Sequence, residues 1–188
     1  MGNKIRLAYE VQSDSIVDGP GIRTVIWTQG CSHNCKGCHN PESHSFTDGK
    51  LYDVEDVKKE IDKYINTTDG VTFSGGDPMF QPIPVTELAK YAKSKGLNVW
   101  CYTGFTYEQV VTMAKHEPIY MELLKNIDVL VDGKFELENR HISLIYRGST
   151  NQRIIDVKKS LEEKRVITDP RYEEKVDIMY HTPVGIFI

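Results

Sequence analysis

Four short apolar runs, each closing on a polar residue and a glycine, constrain the fold of this chain more than any other feature. They are Val25-Ile26-Trp27-Thr28-Gln29-Gly30, Val71-Thr72-Phe73-Ser74-Gly75, Val99-Trp100-Cys101-Tyr102-Thr103-Gly104 and Val129-Leu130-Val131-Asp132-Gly133. Runs of this length and composition, stopped by a glycine, read as buried strands. Helical spacing fills the intervals: Val54, Val57, Ile61 and Ile65 share one face, as do Val85, Leu88, Ala89 and Ala92. Asp53 is placed to cap the first helix and Gly96 to end the second. Thr106 with Gln109 forms a capping box for a third, which turns Val110, Val111 and Ala114 inward. Strands joined by right-handed helical crossovers make a parallel sheet, and ligands of such sheets lie at the carboxyl ends of the strands. The polar-glycine endings are therefore site candidates.

A chain of 188 residues predicts one domain, 1–188. It is shorter than the roughly 250 residues of a closed eight-unit barrel. With 39% hydrophobic and 27% charged residues the composition is globular, and no apolar stretch approaches the length that spans a bilayer. A net charge of −4 and a pI near 5.9 give no overall attraction to nucleic acid or anionic lipid. Lys158, Lys159, Lys164 and Arg165 form a local basic patch, but Glu162 and Glu163 interrupt it, as on a solvated helix face. No apolar signal segment follows Met1, and only four cysteines are present, so the expectation is a reduced, cytoplasmic protein without membrane or nucleic-acid partners. Cys101, remote in an apolar run, reads as a core thiol.

Cys31, Cys35 and Cys38 lie on one short loop directly after the first strand, with no fourth cysteine nearby. Three thiolates can hold three corners of a four-iron cluster and leave one iron open to a substrate, whereas a structural zinc site wants four ligands. Zinc remains an alternative if His33, His39 or His44 supplies the fourth ligand, and so does a noncatalytic electron-transfer module closed by Cys101 or a histidine.

The loop Cys31-Ser32-His33-Asn34-Cys35-Lys36-Gly37-Cys38-His39-Asn40 resembles the CxxxCxxC signature of the radical S-adenosylmethionine (SAM) superfamily. Asp18-Gly19-Pro20-Gly21-Ile22-Arg23-Thr24 and Tyr146-Arg147-Gly148-Ser149-Thr150-Asn151-Gln152-Arg153 resemble one branch of it, the activating enzymes of anaerobic ribonucleoside-triphosphate reductase. The resemblance implies an α/β fold, a partial, open (β/α) barrel of about six units with parallel strands. It also implies a 4Fe-4S cluster on Cys31, Cys35 and Cys38, with SAM chelating the fourth iron. One electron cleaves the sulfonium to methionine and a 5′-deoxyadenosyl radical, which takes hydrogen from a glycine of the partner reductase. The electron comes from a low-potential donor such as flavodoxin or ferredoxin. Activation of another glycyl-radical enzyme, or a radical SAM reaction on a small molecule, is the alternative within the same chemistry.

The same resemblance assigns site residues. Ser74-Gly75-Gly76-Asp77-Pro78 matches a motif whose backbone meets the SAM amino group, with Asp77 where Glu is usual. Gly37 replaces the aromatic residue common before the third cysteine, so backbone from Gly37 through Cys38 to His39 is expected near adenine. Thr103 offers a polar contact, and Asp132-Gly133-Lys134 a cation for the SAM carboxylate. Arg147 and Asn151 suit either that carboxylate or acidic groups on the partner. Asp18 to Arg23 reads as lining of a partner channel or as a plain turn. The segment from Glu136 to Ile145 and the tail from about 168 to 188 carry no pattern that assigns a structure.

Overall fold

A computed structural model describes residues 3–172. The four predicted strands are all present: β3 (Arg23–Thr28), β5 (Gly70–Gly75), β6 (Asn98–Tyr102) and β7 (Val129–Asp132). They pair in parallel, in that order. Crossover helices return the chain each time: α1 (Val54–Tyr64) precedes β5, α2 (Pro82–Ser94) precedes β6, and α3 (Tyr107–His116) with α4 (Ile119–Lys125) precedes β7. Around this core the sheet continues with antiparallel strands β1 (Lys4–Leu7), β2 (Gln12–Ser15) and β4 (Lys50–Asp53) on one side and β8 (Arg153–Asp156) on the other, before α5 (Val157–Glu163).

The parallel part is thus four strands rather than the expected six or so. Between β7 and β8 the chain forms only a short 3-10 turn, Leu137–Asn139, in the segment that lacked a sequence pattern. Without a crossover helix, β8 returns antiparallel. In the tail, Thr168 bridges Ile155, and residues 173–188 lie outside the described residues.

Side chains alternate along each strand, which divides the sheet into two unlike faces. Val71, Phe73, Val99, Cys101 and Leu130 point to the helices and join Val85, Leu88, Ala89, Ala92 and Val110 in the main core. Cys101 is fully buried there, as expected of a core thiol. The capping box of α3 is formed, with Gln109 N donating to Thr106 Oγ1 and Thr106 N to Gln109 Oε1. Val111 and Ala114 pack only partly buried against the core. Asp53 occupies the N-cap position of α1 without a capping bond; its carboxylate meets Lys4 instead.

The opposite face carries a smaller cluster, in which Trp100 stands edge-on to Tyr146 and Tyr172 at ring distances of 5.5 Å. Arg23 is buried below it, at the amino end of the strands. It donates to Thr72 Oγ1, Val71 O and Asn98 O, with its guanidinium 5.9 Å from the Trp100 ring. That position rules it out as lining of a partner channel, and burial lowers its pKa to about 10. Among the described residues no helix is long and apolar enough to cross a membrane.

Candidate cluster and cofactor site

A cavity of about 810 Å³ opens at the carboxyl ends of the parallel strands, on the face away from the helices. Its size falls in the range of small-molecule and cofactor sites. The loop between β3 and the turn Pro41–Ser43 supplies one wall. Gly30 N donates to Ser43 O and Cys31 N to His44 O, closing the loop at its base, and Cys38 N donates to Cys35 O within it. Cys31, Cys35 and Cys38 all line the cavity as free, partly exposed thiols. Burial pushes the Cys31 thiol up to about 11. Burial also raises that of Cys35, against the lowering effect of the Phe135 backbone N–H and the Lys134 cation. Coordination to a cation deprotonates a thiol outright and so overrides this effect of burial.

Two glycines let the opposite wall come close. A Cβ on Gly75, whose φ is +100°, would stand 2.5 Å from Thr28 O, and one on Gly76 would stand 2.5 Å from Gly30 O. The β5 turn is therefore packed directly on the backbone at the root of the cysteine loop, an approach that only glycine allows. Ser74, Gly75 and Gly76 line the cavity, as do Thr103, His39 and Arg147.

Asp77 and Asp132 were expected beside them, but both side chains are 1% exposed and neither lines the cavity. Asp77 Oδ1 accepts from Met79 N, while Oδ2 accepts from Thr103 Oγ1 and Gly104 N at 2.9 Å and from His33 Nε2 at 2.7 Å. An ionised carboxylate only accepts, so the shared proton is placed on Nε2. Asp132 accepts from Tyr107 N and from the Nε–Nη2 edge of the Arg153 guanidinium, whose Nη1–Nη2 edge reaches Glu108 on α3. These contacts raise the Arg153 pKa and lower that of Glu108 to about 2, the Arg153 hydrogen bond being its largest cause.

Lys134 and Asn151 are exposed beyond the cavity wall, joined by a bond from Asn151 Nδ2 to Lys134 O. Gly37 packs its backbone on Leu137 and Phe135, and His39 stacks on Phe135 at 5.3 Å. Gln152, unremarkable in sequence, organises this side of the cavity: it accepts from Gly148 N and Ser149 N, donates to Gly133 O, and its own carbonyl receives Arg147 Nη1. Asp18 also reaches the cavity.

The donor set fits an iron–sulfur cluster with an anionic ligand beside it. Three thiols face one space, and Arg147 Nε, buried at its edge, is one of two buried side-chain polar atoms without a hydrogen-bond partner among the described residues. An unpartnered guanidinium N–H suits a carboxylate. Among the described residues no three His, Cys, Asp or Glu side chains converge as ligands of a single metal ion.

Comparison with known proteins agrees with this chemistry. The family described as 4Fe-4S single cluster domain matches residues 17–155. An anaerobic ribonucleoside-triphosphate reductase-activating protein of Vibrio cholerae is 37% identical over 144 residues, covering 73% of this chain and 89% of the relative. The protein of the same name from Enterobacteria phage T4 is 32% identical over 144 residues, covering 73% of this chain and 86% of the relative. A pyruvate formate-lyase-activating enzyme of Clostridium pasteurianum is 29% identical over 194 residues, covering 93% and 82%.

Proposed function

The chain belongs to the anaerobic ribonucleoside-triphosphate reductase-activating proteins, and from that premise we propose that it installs a glycyl radical on such a reductase. The observation that carries the reading is the meeting of Cys31, Cys35 and Cys38 with the Ser74–Gly76 turn in one cavity at the carboxyl ends of the strands. When bound, a 4Fe-4S cluster and SAM would supply one-electron reductive cleavage of a carbon–sulfur bond as the source of the hydrogen-abstracting equivalent.

The chain's own residues hold and shield these groups. Cys31, Cys35 and Cys38 ligate three irons. Backbone of Gly75 and Gly76 meets the SAM amino group, with Ser74 and Thr103 as polar neighbours, and Arg147 takes the carboxylate. Backbone from Gly37 through Cys38 to His39 lies toward adenine. Asp77 and Asp132 act from behind the wall, by holding the turns that carry the contacts. Lys134 and Asn151 serve the outer edge, where Lys134 adds positive charge near Cys35. A partial barrel open on one side would suit a macromolecular substrate, a glycine-bearing loop of the reductase. A flavodoxin- or ferredoxin-type donor and a cytoplasmic setting complete the reading.

The test is an oxygen-free incubation of the reconstituted chain with SAM, dithionite and the reductase. A glycyl radical on the reductase by electron paramagnetic resonance (EPR), together with 5′-deoxyadenosine, is expected. Cleavage of SAM without that radical would move the assignment to another glycyl-radical enzyme, and no cleavage would overturn it.

A further inference from the structure

His33 stands between two of the cluster cysteines in sequence and lines the same cavity, yet its Nε2 is committed to a carboxylate rather than free to ligate. Its side chain is 8% exposed, packed 4.6 Å from the Phe105 ring and 5.8 Å from the Phe80 ring, with Nε2 on Asp77. We propose that His33 is a positioning residue: through Asp77 it fixes the middle of the cysteine loop against the β5 and β6 turns, and so sets how SAM meets the cluster. This rests on the reading of the site given above and adds to it a residue that ligates nothing.

Three observations carry it. First, Asp77 joins three separate segments through one carboxylate: the cysteine loop by His33, its own turn by Met79 N, and the end of β6 by Thr103 and Gly104. Oδ2 accepts three of these bonds and Oδ1 one, and with the residue 1% exposed and absent from the cavity lining, the side chain faces its protein partners rather than a ligand. Second, Asp77 N donates to Gly30 O at the root of the loop, and the His33 bond adds a tie farther out, between Cys31 and Cys35. The far part of the loop rests on Phe135 and Leu137, whereas the His33 bond ties the stretch between Cys31 and Cys35 to the β5 and β6 turns. Third, the wall has been left open for this ring. A Cβ on Gly104 would lie 2.4 Å from His33 Cδ2, although the Gly104 backbone is not in the left-handed region, so the space and not the backbone angle requires glycine there.

Removing the imidazole N–H leaves Asp77 with its other donors, so the fold persists while the loop loosens. The experiment uses the full chain reconstituted without oxygen, measuring iron and sulfide content and titrating SAM into the reduced protein while the EPR spectrum of the cluster is followed. His33→Phe, which keeps a ring between Phe80 and Phe105, is expected to take up iron like the parent but to need roughly tenfold or more SAM for the spectral change, the usual scale for loss of an outer-shell partner. His33→Gln, which retains a side-chain donor, is expected to recover most of that loss. Gly104→Ala should reproduce the His33→Phe titration with the imidazole still present, and it serves as the test should His33→Phe fail to fold. Parent-like titration of His33→Phe or Gly104→Ala, equal impairment of the Phe and Gln variants, or loss of iron from His33→Phe would each overturn the proposal. Failure of the parent chain itself to take up iron or respond to SAM would instead sink the reading of the site, and this proposal with it.

Discussion

The two faces of the parallel strands use the same backbone to opposite ends. Toward the helices, Val71, Phe73, Val99 and Leu130 are fully buried in a continuous aliphatic core. Toward the cavity, the alternate positions on β5 and β6 are Thr72, Ser74, Trp100 and Tyr102, polar or aromatic, with Tyr102 OH bonded to Tyr146 O, while Val129 and Val131 of β7 join Trp100 in the smaller apolar cluster. One face is organised by the removal of apolar area from water, which is non-directional. The other combines a smaller apolar cluster with hydrogen bonds whose geometry is directional, and it is the face that can hold a ligand in one orientation. Stability and chemistry should therefore separate by face.

The largest expected effect is on the cavity side. Cys35→Ala should abolish the brown cluster and all 5′-deoxyadenosine formation, while the melting of the apoprotein moves by less than about 1 kcal/mol, because the thiol is partly exposed and packs little. Phe73→Ala, on the helix face, should do the reverse. The loss of a fully buried ring costs about 3–5 kcal/mol in urea unfolding, and any protein that still folds should retain iron binding. A variant that lost both properties in equal measure would break the distinction between the faces.

Arg153→Met tests an intermediate case. Asp132 would be left buried with only Tyr107 N, a cost of about 2–3 kcal/mol once discounted for the 33% exposure of the Arg153 side chain. Because Asp132 does not face the cavity, iron content should hold while the anchoring of the β7 turn weakens. The smallest effect belongs to Glu108, whose carboxylate is held near 2 instead of 4.5 chiefly by the Arg153 hydrogen bond. A depressed carboxylate pKa stabilises the fold above the unfolded value, so this contribution is complete above about pH 4.5 and fades as pH falls toward 2. With the side chain 59% exposed it amounts to less than about 1 kcal/mol, and Glu108→Gln should flatten the acid limb of a stability-against-pH curve by that amount.

What was legible in the sequence was local. The capping box of Thr106 and Gln109 is visible because both partners fall within one turn, and the strands and helix faces because their periodicities differ. Asp53 had the same local signature as a cap but found Lys4 on a neighbouring strand. Asp77 and Asp132 enter as site residues through their place in motifs that the family resemblance implies, beside glycine at the rim of the sheet. Their actual partners, His33 at a separation of 44 residues and Arg153 at 21, are set by the sheet order. In sequence His33 reads as a zinc ligand, and the sign of its other role, Gly104 beside its ring, appears only once β3 and β6 are brought to the same rim.

The amino-acid order by itself determined the strand and helix rhythm, the three-thiol spacing and the glycine-rich turn, since each depends on neighbours a few residues apart. Only the tertiary structure decided which face of the sheet would hold the cavity, which carboxylates are spent on holding its wall, and that Arg23 lies at the far end of the strands. Those outcomes depend on contacts between distant segments, and a hydrogen bond's direction exists only after the backbone has placed both of its ends.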